Sequence, residues 1–260
     1  MTLADEFDGL LIDLDGVVWI GREPVSGAAE TLRALLEAGK EIVFVTNNPA
    51  RPAATYAERL RSTGIPVADE RVVTAGTVTA RLAAERVGTG GAFAIGAAGF
   101  KDTVTAAGLS LLEGEVARSA DAVLVSGHRE FDYEELLTAT LALQRGAALF
   151  ATSRDPTLPM PGGAWPGTGA VLAAVETASG VTAEIGGKPE RHLFEQARAL
   201  ISGAERVAMV GDRLASDIEG GRRAGLATIL VLSGASSREQ AESATSPPDH
   251  VLDDLTGLLR

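Results

Sequence analysis

The chain has 260 residues, 45% of them hydrophobic and 22% charged, with a formal net charge of -12 at pH 7 and no cysteine. That length allows one large or two ordinary domains with enough chain for a real core, and the balance is that of a soluble globular protein. The acidic charge argues against a nucleic-acid partner, which needs a basic surface, and the missing cysteines exclude a thiolate nucleophile and a cysteine zinc site.

Three scattered histidines, His128, His192 and His250, make no zinc pattern. The opening "MTLADEFDG" is acidic and lacks the basic start and apolar stretch of a signal peptide, so the cytoplasm is the expected compartment. The absence of cysteine fits that compartment. Residues 156–175 form the longest charge-free stretch, but four prolines and four glycines within it rule out a lipid-facing helix. It is expected to be a loop running into a helix, with no membrane partner.

Short β-rich runs come in the order "LLID", "EIVFV", "AFAIG", "AVLVS", "ALFAT", "RVAMV" and "ATILVL". They alternate with amphipathic stretches such as "AAETLRALLEAG" and "DYEELLTATLALQRG", which implies parallel strands joined by right-handed crossovers. Helices are expected to stop at Gly39, Gly64, Gly146 and Gly225. The segment "SGASSREQAESATSPPD" reads as a polar connector before a last short strand and helix. The expected fold is α/β: a doubly wound, parallel-sheet, Rossmann-like core made of residues 1–77 and 181–260, with an α/β domain of residues 78–180 inserted into it.

Within "GLLIDLDGVVWI" (residues 9–20), Asp13 and Asp15 interrupt an apolar run. A buried strand excludes unpaired carboxylates at a cost of several kcal/mol, so either these residues sit where the strand opens or something positive holds them. Other polar groups also fall at strand ends: Thr46, Asn47 and Asn48 after "IVFV", and Gly211 and Asp212 after "VAMV". In an open α/β sheet, ligands bind outside the carboxyl ends of the strands, so these groups can converge on one crevice.

Three competing readings of these motifs fail. An EF-hand loop starting at Asp13 needs Gly at its sixth position and Glu at its twelfth, where Val18 and Pro24 stand. "PGTGAVL" has Leu172 in place of the third glycine of a dinucleotide fingerprint, and "GGKP" lacks the upstream glycine and following hydroxyl of a Walker loop. The combination "DLDGV" (13–17), "TNN" (46–48), "GKP" (187–189) and "GDRLASDI" (211–218), in that order, resembles the four signature motifs of the haloacid dehalogenase-like (HAD) hydrolases. The inserted segment resembles the large α/β cap of the NagD-like subfamily, with "PGTGA" its most recognisable part.

The resemblance implies a phosphatase, and phosphoryl-transfer chemistry supplies a role for each residue. Asp13 is the expected nucleophile, forming an aspartyl-phosphate that divides one hard step into two. Asp15 is the expected general acid and then base. By resemblance, Asp13, Asp212 and the backbone carbonyl of Asp15 hold Mg²⁺, with Asp217 a weaker ligand or a charge at a helix N-terminus. Thr46, Asn47 and Asn48 are expected on the phosphate oxygens or as helix caps, and Lys188 is expected to pair with Asp13 and the phosphate. Pro189 is expected at the first position of the following helix.

In the inserted domain, relatives commonly carry Asn-Pro-Asp where this chain has Ser153, Arg154 and Asp155, and Asp-Arg where it has His128 and Arg129. Asp155 is retained, and Arg154 is the cap residue expected to grip a second anion of the substrate. The expected partner is a small phosphorylated metabolite, chosen by a cap that closes over the core; a homodimer through the cap is the expected assembly. An aspartate at position 15 favours phosphatase over the ATPases and dehalogenases of the family. The alternatives on the same residues are a phosphotransferase or phosphomutase, a non-catalytic sugar-phosphate binder, and a receiver-like signalling module, whose motif order differs and which has no place for the insertion.

Overall fold

A computed structural model of the chain describes residues 2–160 and 163–260. The chain divides into two compact units. One comprises the chain up to Thr46 with Ala53–Val73 and Lys188–Arg260, and the other comprises Asn47–Pro52 and Thr74–Gly187.

The first unit is built on the strands β1 (Gly9–Asp13), β4 (Glu41–Thr46), β5 (Val72–Thr74), β13 (Val207–Gly211), β14 (Ala227–Val231) and β15 (His250–Leu252). A small antiparallel ribbon, β2 (Trp19–Ile20) with β3 (Glu23–Pro24), follows β1. The connecting helices are α1 (Ala28–Glu37), α2 (Ala53–Ser62), α7 (Arg191–Ala199), α8 (Glu219–Arg223) and α9 (Arg238–Ser243). The sheet order is β15-β14-β13-β1-β4-β5. Strand β1 runs parallel to both neighbours, with Asp13 opposite Val45 and Ile12 opposite Val210.

All five residues of β1 are buried, which is why the sequence there reads as an unbroken apolar run rather than an alternation. Leu10, Ile12, Phe44 and Val210 share one core cluster with Leu32 and Leu35 of α1. The buried positions of that helix, Ala28, Thr31, Leu32 and Leu35, follow the helical period. Each fully buried leucine contributes about 1.5–3 kcal/mol of transfer free energy. The chain runs from β1 out to β4 and β5, then returns to lay β13 on the opposite flank. The carboxyl end of β1 is therefore a topological switch point.

The second unit contains α3 (Ala75–Val87), β6 (Gly91–Ile95), α4 (Ala98–Ala106), β7 (Ser110–Leu111), β8 (Ala122–Val125), α5 (Tyr133–Gln144), β9 (Ala148–Ala151), β10 (Thr157–Met160), β11 (Gly163–Pro166), α6 (Thr168–Ser179) and β12 (Glu184–Ile185). Its five-stranded sheet has the order β12-β9-β8-β6-β7, with every pair parallel. Helix α3 starts where the Thr74 hydroxyl accepts the Thr77 N–H at 3.0 Å, and α5 where Asp132 accepts the Glu135 N–H at 2.9 Å.

The seven expected β-rich runs are all strands, and Gly39, Gly64, Gly146 and Gly225 follow helix ends with positive φ. The differences lie in less regular sequence. The stretch expected as a loop before a helix contains the antiparallel hairpin β10–β11, with Leu158 opposite Trp165; Pro161 and Gly162 of that stretch lie outside the described residues. The polar connector holds helix α9, begun by a reciprocal cap between Ser237 and Gln240. Pro189 is not the first helical position, because α7 starts at Arg191 with Glu190 as its cap. No helix among the described residues is long and apolar enough to cross a membrane.

Candidate active site

Two strands deliver the acidic residues. Asp13 is the last residue of β1, Asp212 follows β13 directly, and Asp217 lies five residues further on, in a turn where the Ile218 N–H reaches back to the Arg213 carbonyl at 3.2 Å. This widened π turn carries the Asp217 side chain inward, where it is fully buried. Its Oδ2 accepts the Arg213 N–H at 3.0 Å. Asp217 is therefore not the solvated charge at a helix N-terminus that one reading expects.

Lys188 binds the cluster together. Its Nζ lies 2.7 Å from Asp13 Oδ1 and 2.7 Å from Asp217 Oδ1, and its side chain is 2% exposed. Asp13, Asp212 and Asp217 each present a carboxylate oxygen within 4.8 Å of the others. One ammonium thus faces three buried carboxylates. Burial pushes the Asp13 carboxyl well above the usual carboxylate range; Lys188 opposes the shift, and Asp217 and Asp212 add to it. Burial and then Asp217 raise Asp212 to about 6 against the pull of the Ala235 N–H. Burial would lower Lys188, but Asp13 and Asp217 outweigh it and hold the amine protonated above its ordinary range.

Asp212 is held by the loop after β14. Its Oδ2 accepts the Ala235 N–H at 2.7 Å and its carbonyl accepts the Ser236 N–H at 3.0 Å, while the Ser233 hydroxyl donates to the Gly16 carbonyl at 2.7 Å. Gly16 and Gly234 leave room for the carboxylate, since a Cβ on either would overlap it. The other oxygen, Oδ1, is buried with no hydrogen-bond partner among the described residues. An orphaned carboxylate oxygen beside two more buried carboxylates, with negative charge in excess, is the hard-oxygen donor set that suits a Mg²⁺-class cation.

Asp15 stands apart from this group of three. Its Oδ1 accepts the indole N–H of Trp19 at 3.0 Å. Thr46 is buried at the end of β4, one residue beyond the Val45 that pairs with Asp13. Asn47 and Asn48 pack with the second unit, and Asn48 Oδ1 accepts the Ala50 N–H at 3.1 Å, the turn-capping arrangement.

The cap residues carry other partners. Arg154 makes a two-pronged ion pair with Glu176, at 2.9 and 2.8 Å. Asp155 is exposed, and its carbonyl accepts the Gly169 N–H at 2.8 Å. His128 Nε2 lies 2.7 Å from Glu135, and the Arg129 guanidinium carbon sits 4.3 Å from the centre of the Trp165 ring.

Sequence reasoning missed Trp19 and the loop of Ser233, Gly234, Ala235 and Ser236. A signal existed for the first, because a buried indole N–H needs an acceptor and Asp15 lies four residues before it.

The haloacid dehalogenase-like hydrolase family matches residues 10–110, and a second family described as HAD-hydrolase-like matches residues 185–258. The chain is 35% identical to the 5'-nucleotidase YutF of Bacillus subtilis, covering 96% of each chain. The crystal structure of a glycerol phosphate phosphatase from Mycobacterium tuberculosis in complex with magnesium is similar at TM-score 0.88 and 35% identity, over 99% of this chain and 78% of that one. A p-nitrophenyl phosphatase from Archaeoglobus fulgidus is similar at TM-score 0.90 and 30% identity, over 98% of each chain.

Proposed function

We propose that this chain, which belongs to the haloacid dehalogenase-like hydrolases and is a phosphatase, hydrolyses small phosphate monoesters through a phosphoryl group carried on Asp13. The observation that carries this reading is the buried cluster of Asp13, Asp212 and Asp217 around Lys188, at the switch point of a parallel sheet. Phosphate esters resist attack because nucleophile and phosphate are both anionic, so a site that reacts with them must supply positive charge in fixed positions.

Lys188 supplies one such charge. In this reading it orients the Asp13 carboxylate and then lies against the transferring phosphoryl oxygens. Asp13, Asp212 and Asp217 would hold Mg²⁺, with the Asp15 carbonyl completing the protein ligands. When bound, the ion supplies charge neutralisation at the phosphate oxygens and at the carboxylates. Asp13 attacks phosphorus, Asp15 gives a proton to the departing oxygen, and Asp15 then takes a proton from the water that releases phosphate from Asp13. Thr46 and Asn47 are assigned to the phosphate oxygens. Arg154 and Asp155 are left out of the assignment, in keeping with the ion pair of Arg154 to Glu176.

The reading includes a cytoplasmic location and no nucleic-acid or membrane partner, consistent with a net charge of -12. The only macromolecular partner it includes is a second copy of the chain, meeting it through the cap. The test is a screen of phosphate monoesters with Mg²⁺ and with EDTA, run on the wild-type chain and on Asp13→Asn. Turnover that needs Mg²⁺ and vanishes in Asp13→Asn, with melting temperature in EDTA equal or higher, supports the reading. Substantial turnover by Asp13→Asn would remove the covalent route.

A further inference from the structure

We propose that Trp19 is a positioning residue for Asp15, fixing which carboxyl oxygen carries the proton that the leaving group takes. The proposal rests on the acid–base reading of Asp15 given above. The residues between the two form a closed loop: the Val18 and Trp19 N–H groups both donate to the Leu14 carbonyl, at 2.9 and 3.2 Å, and the Gly16 N–H donates to the Trp19 carbonyl at 2.7 Å. Asp15 and Trp19 are thereby held across from one another as a backbone bridge, so their side chains meet without a search.

The indole is locked from its other sides as well. Trp19 is 1% exposed, inside the core cluster of the first unit. The Arg59 guanidinium carbon of α2 lies 3.8 Å from the centre of its ring, and Arg59 Nη2 donates to the Gly21 carbonyl at 2.8 Å. A guanidinium on an indole face is an attractive arrangement, and here it clamps the ribbon of β2 and β3 against α2.

The chemical consequence follows from donor and acceptor counts. An indole N–H can only donate, so the Asp15 oxygen that receives it, Oδ1, must be an acceptor in both protonation states. In the acid form the carbonyl oxygen is a stronger acceptor than the hydroxyl oxygen, so this bond places the proton on Oδ2. As the Asp13 oxygen bonds to phosphorus, the bond from phosphorus to the leaving oxygen breaks. Its electron pair stays on that oxygen, which takes the proton from Oδ2. In the second step, the Asp15 carboxylate takes a proton from water as the water oxygen bonds to phosphorus and Asp13 departs. Without the indole, the carboxyl can rotate or exchange its oxygens, and the proton is less often where the leaving oxygen needs it.

Leaving-group dependence separates this role from a structural one. An alkoxide needs a proton to depart at neutral pH and p-nitrophenolate does not, and kcat/KM reports the steps through the first phosphoryl transfer. Trp19→Phe is expected to lower kcat/KM for glycerol phosphate by roughly thirtyfold, well inside the range of general-acid catalysis, with a loss about tenfold smaller for p-nitrophenyl phosphate. Asp15→Asn should show the same selectivity at least as strongly, and adding Trp19→Phe to it should cause no further selective loss. Equal losses on the two substrates in Trp19→Phe, or a full additional selective loss in the double variant, would overturn the proposal. A lack of selectivity in Asp15→Asn itself would instead sink the acid–base assignment. If Trp19→Phe does not fold, Arg59→Ala, at a half-buried position, removes the clamp and should lower the alkyl-to-aryl ratio severalfold. A wild-type ratio there would count against the proposal.

Discussion

Replacing Lys188 by methionine keeps most of the volume of the side chain and removes its charge. Nζ lies 2.7 Å from oxygens of both Asp13 and Asp217, and the carboxylate oxygens of Asp13, Asp212 and Asp217 lie within 4.8 Å of one another. At an effective dielectric of about 20, two unit charges at that separation repel by roughly 3.5 kcal/mol, and three such pairs would approach the whole stability of a domain. The variant must therefore take up protons at Asp13 or Asp212, both of which already lie above the usual carboxylate range. A carboxyl whose folded value is raised binds its proton more tightly in the native state, so stability falls as pH rises through that value. Breaking a buried pair costs about 3–5 kcal/mol, which for a chain of this size lowers the melting temperature by roughly 6–20 °C. Melting followed by circular dichroism in EDTA should show the larger drop at pH 8 and a smaller one at pH 5.5, and excess Mg²⁺ should recover part of it. A drop that is the same at both pH values and unaffected by Mg²⁺ would mean that Lys188 acts by packing, and the electrostatic account would fail.

Gly234→Ala places a methyl group on the Asp212 carboxylate, so the Mg²⁺ concentration for half-maximal binding should rise at least about tenfold, equivalent to about 1.4 kcal/mol. Calorimetric titration checks this, and unchanged affinity would show that the loop shifts without disturbing Asp212. Asp8 accepts two hydrogen bonds from Arg206, which lower its carboxyl to about 2, so the stability it adds is present above its ordinary value of 3.8 and is lost as pH falls toward 2. Asp8→Asn should flatten that part of the acid-melting curve, and a carboxyl signal of Asp8 titrating near 3.8 by NMR would contradict the contact. Arg154→Ala should raise the Glu176 carboxyl from its lowered position without changing the ratio of kcat/KM between phosphoglycolate and p-nitrophenyl phosphate. A selective loss on phosphoglycolate would return Arg154 to the substrate.

The parts of this molecule legible in its sequence are those governed by short-range rules. Strands such as "VAMV" are apolar because both faces are covered, and polar residues at their carboxyl ends fall where the topology opens a crevice, so Asp13, Thr46 and Asp212 could be placed by counting along the chain. The burial of Asp217 was less legible because it depends on a π turn, and one extra residue in a helical turn redirects every side chain after it. The segment of hairpin β10–β11 reads as a loop because proline and glycine signal irregular backbone, while strand pairing depends on a partner. Arg154 and Glu176 are 22 positions apart, and no local pattern announces a bidentate pair over that separation. Trp19 was hidden for the opposite reason. In an apolar run it satisfies the rule for a core residue, and it is one; the polar edge of the same ring can serve Asp15 only because the loop from Leu14 closes on itself. Side chains with an apolar body and a single polar atom can fill a core position and a chemical one together, and the sequence pattern reports only the first.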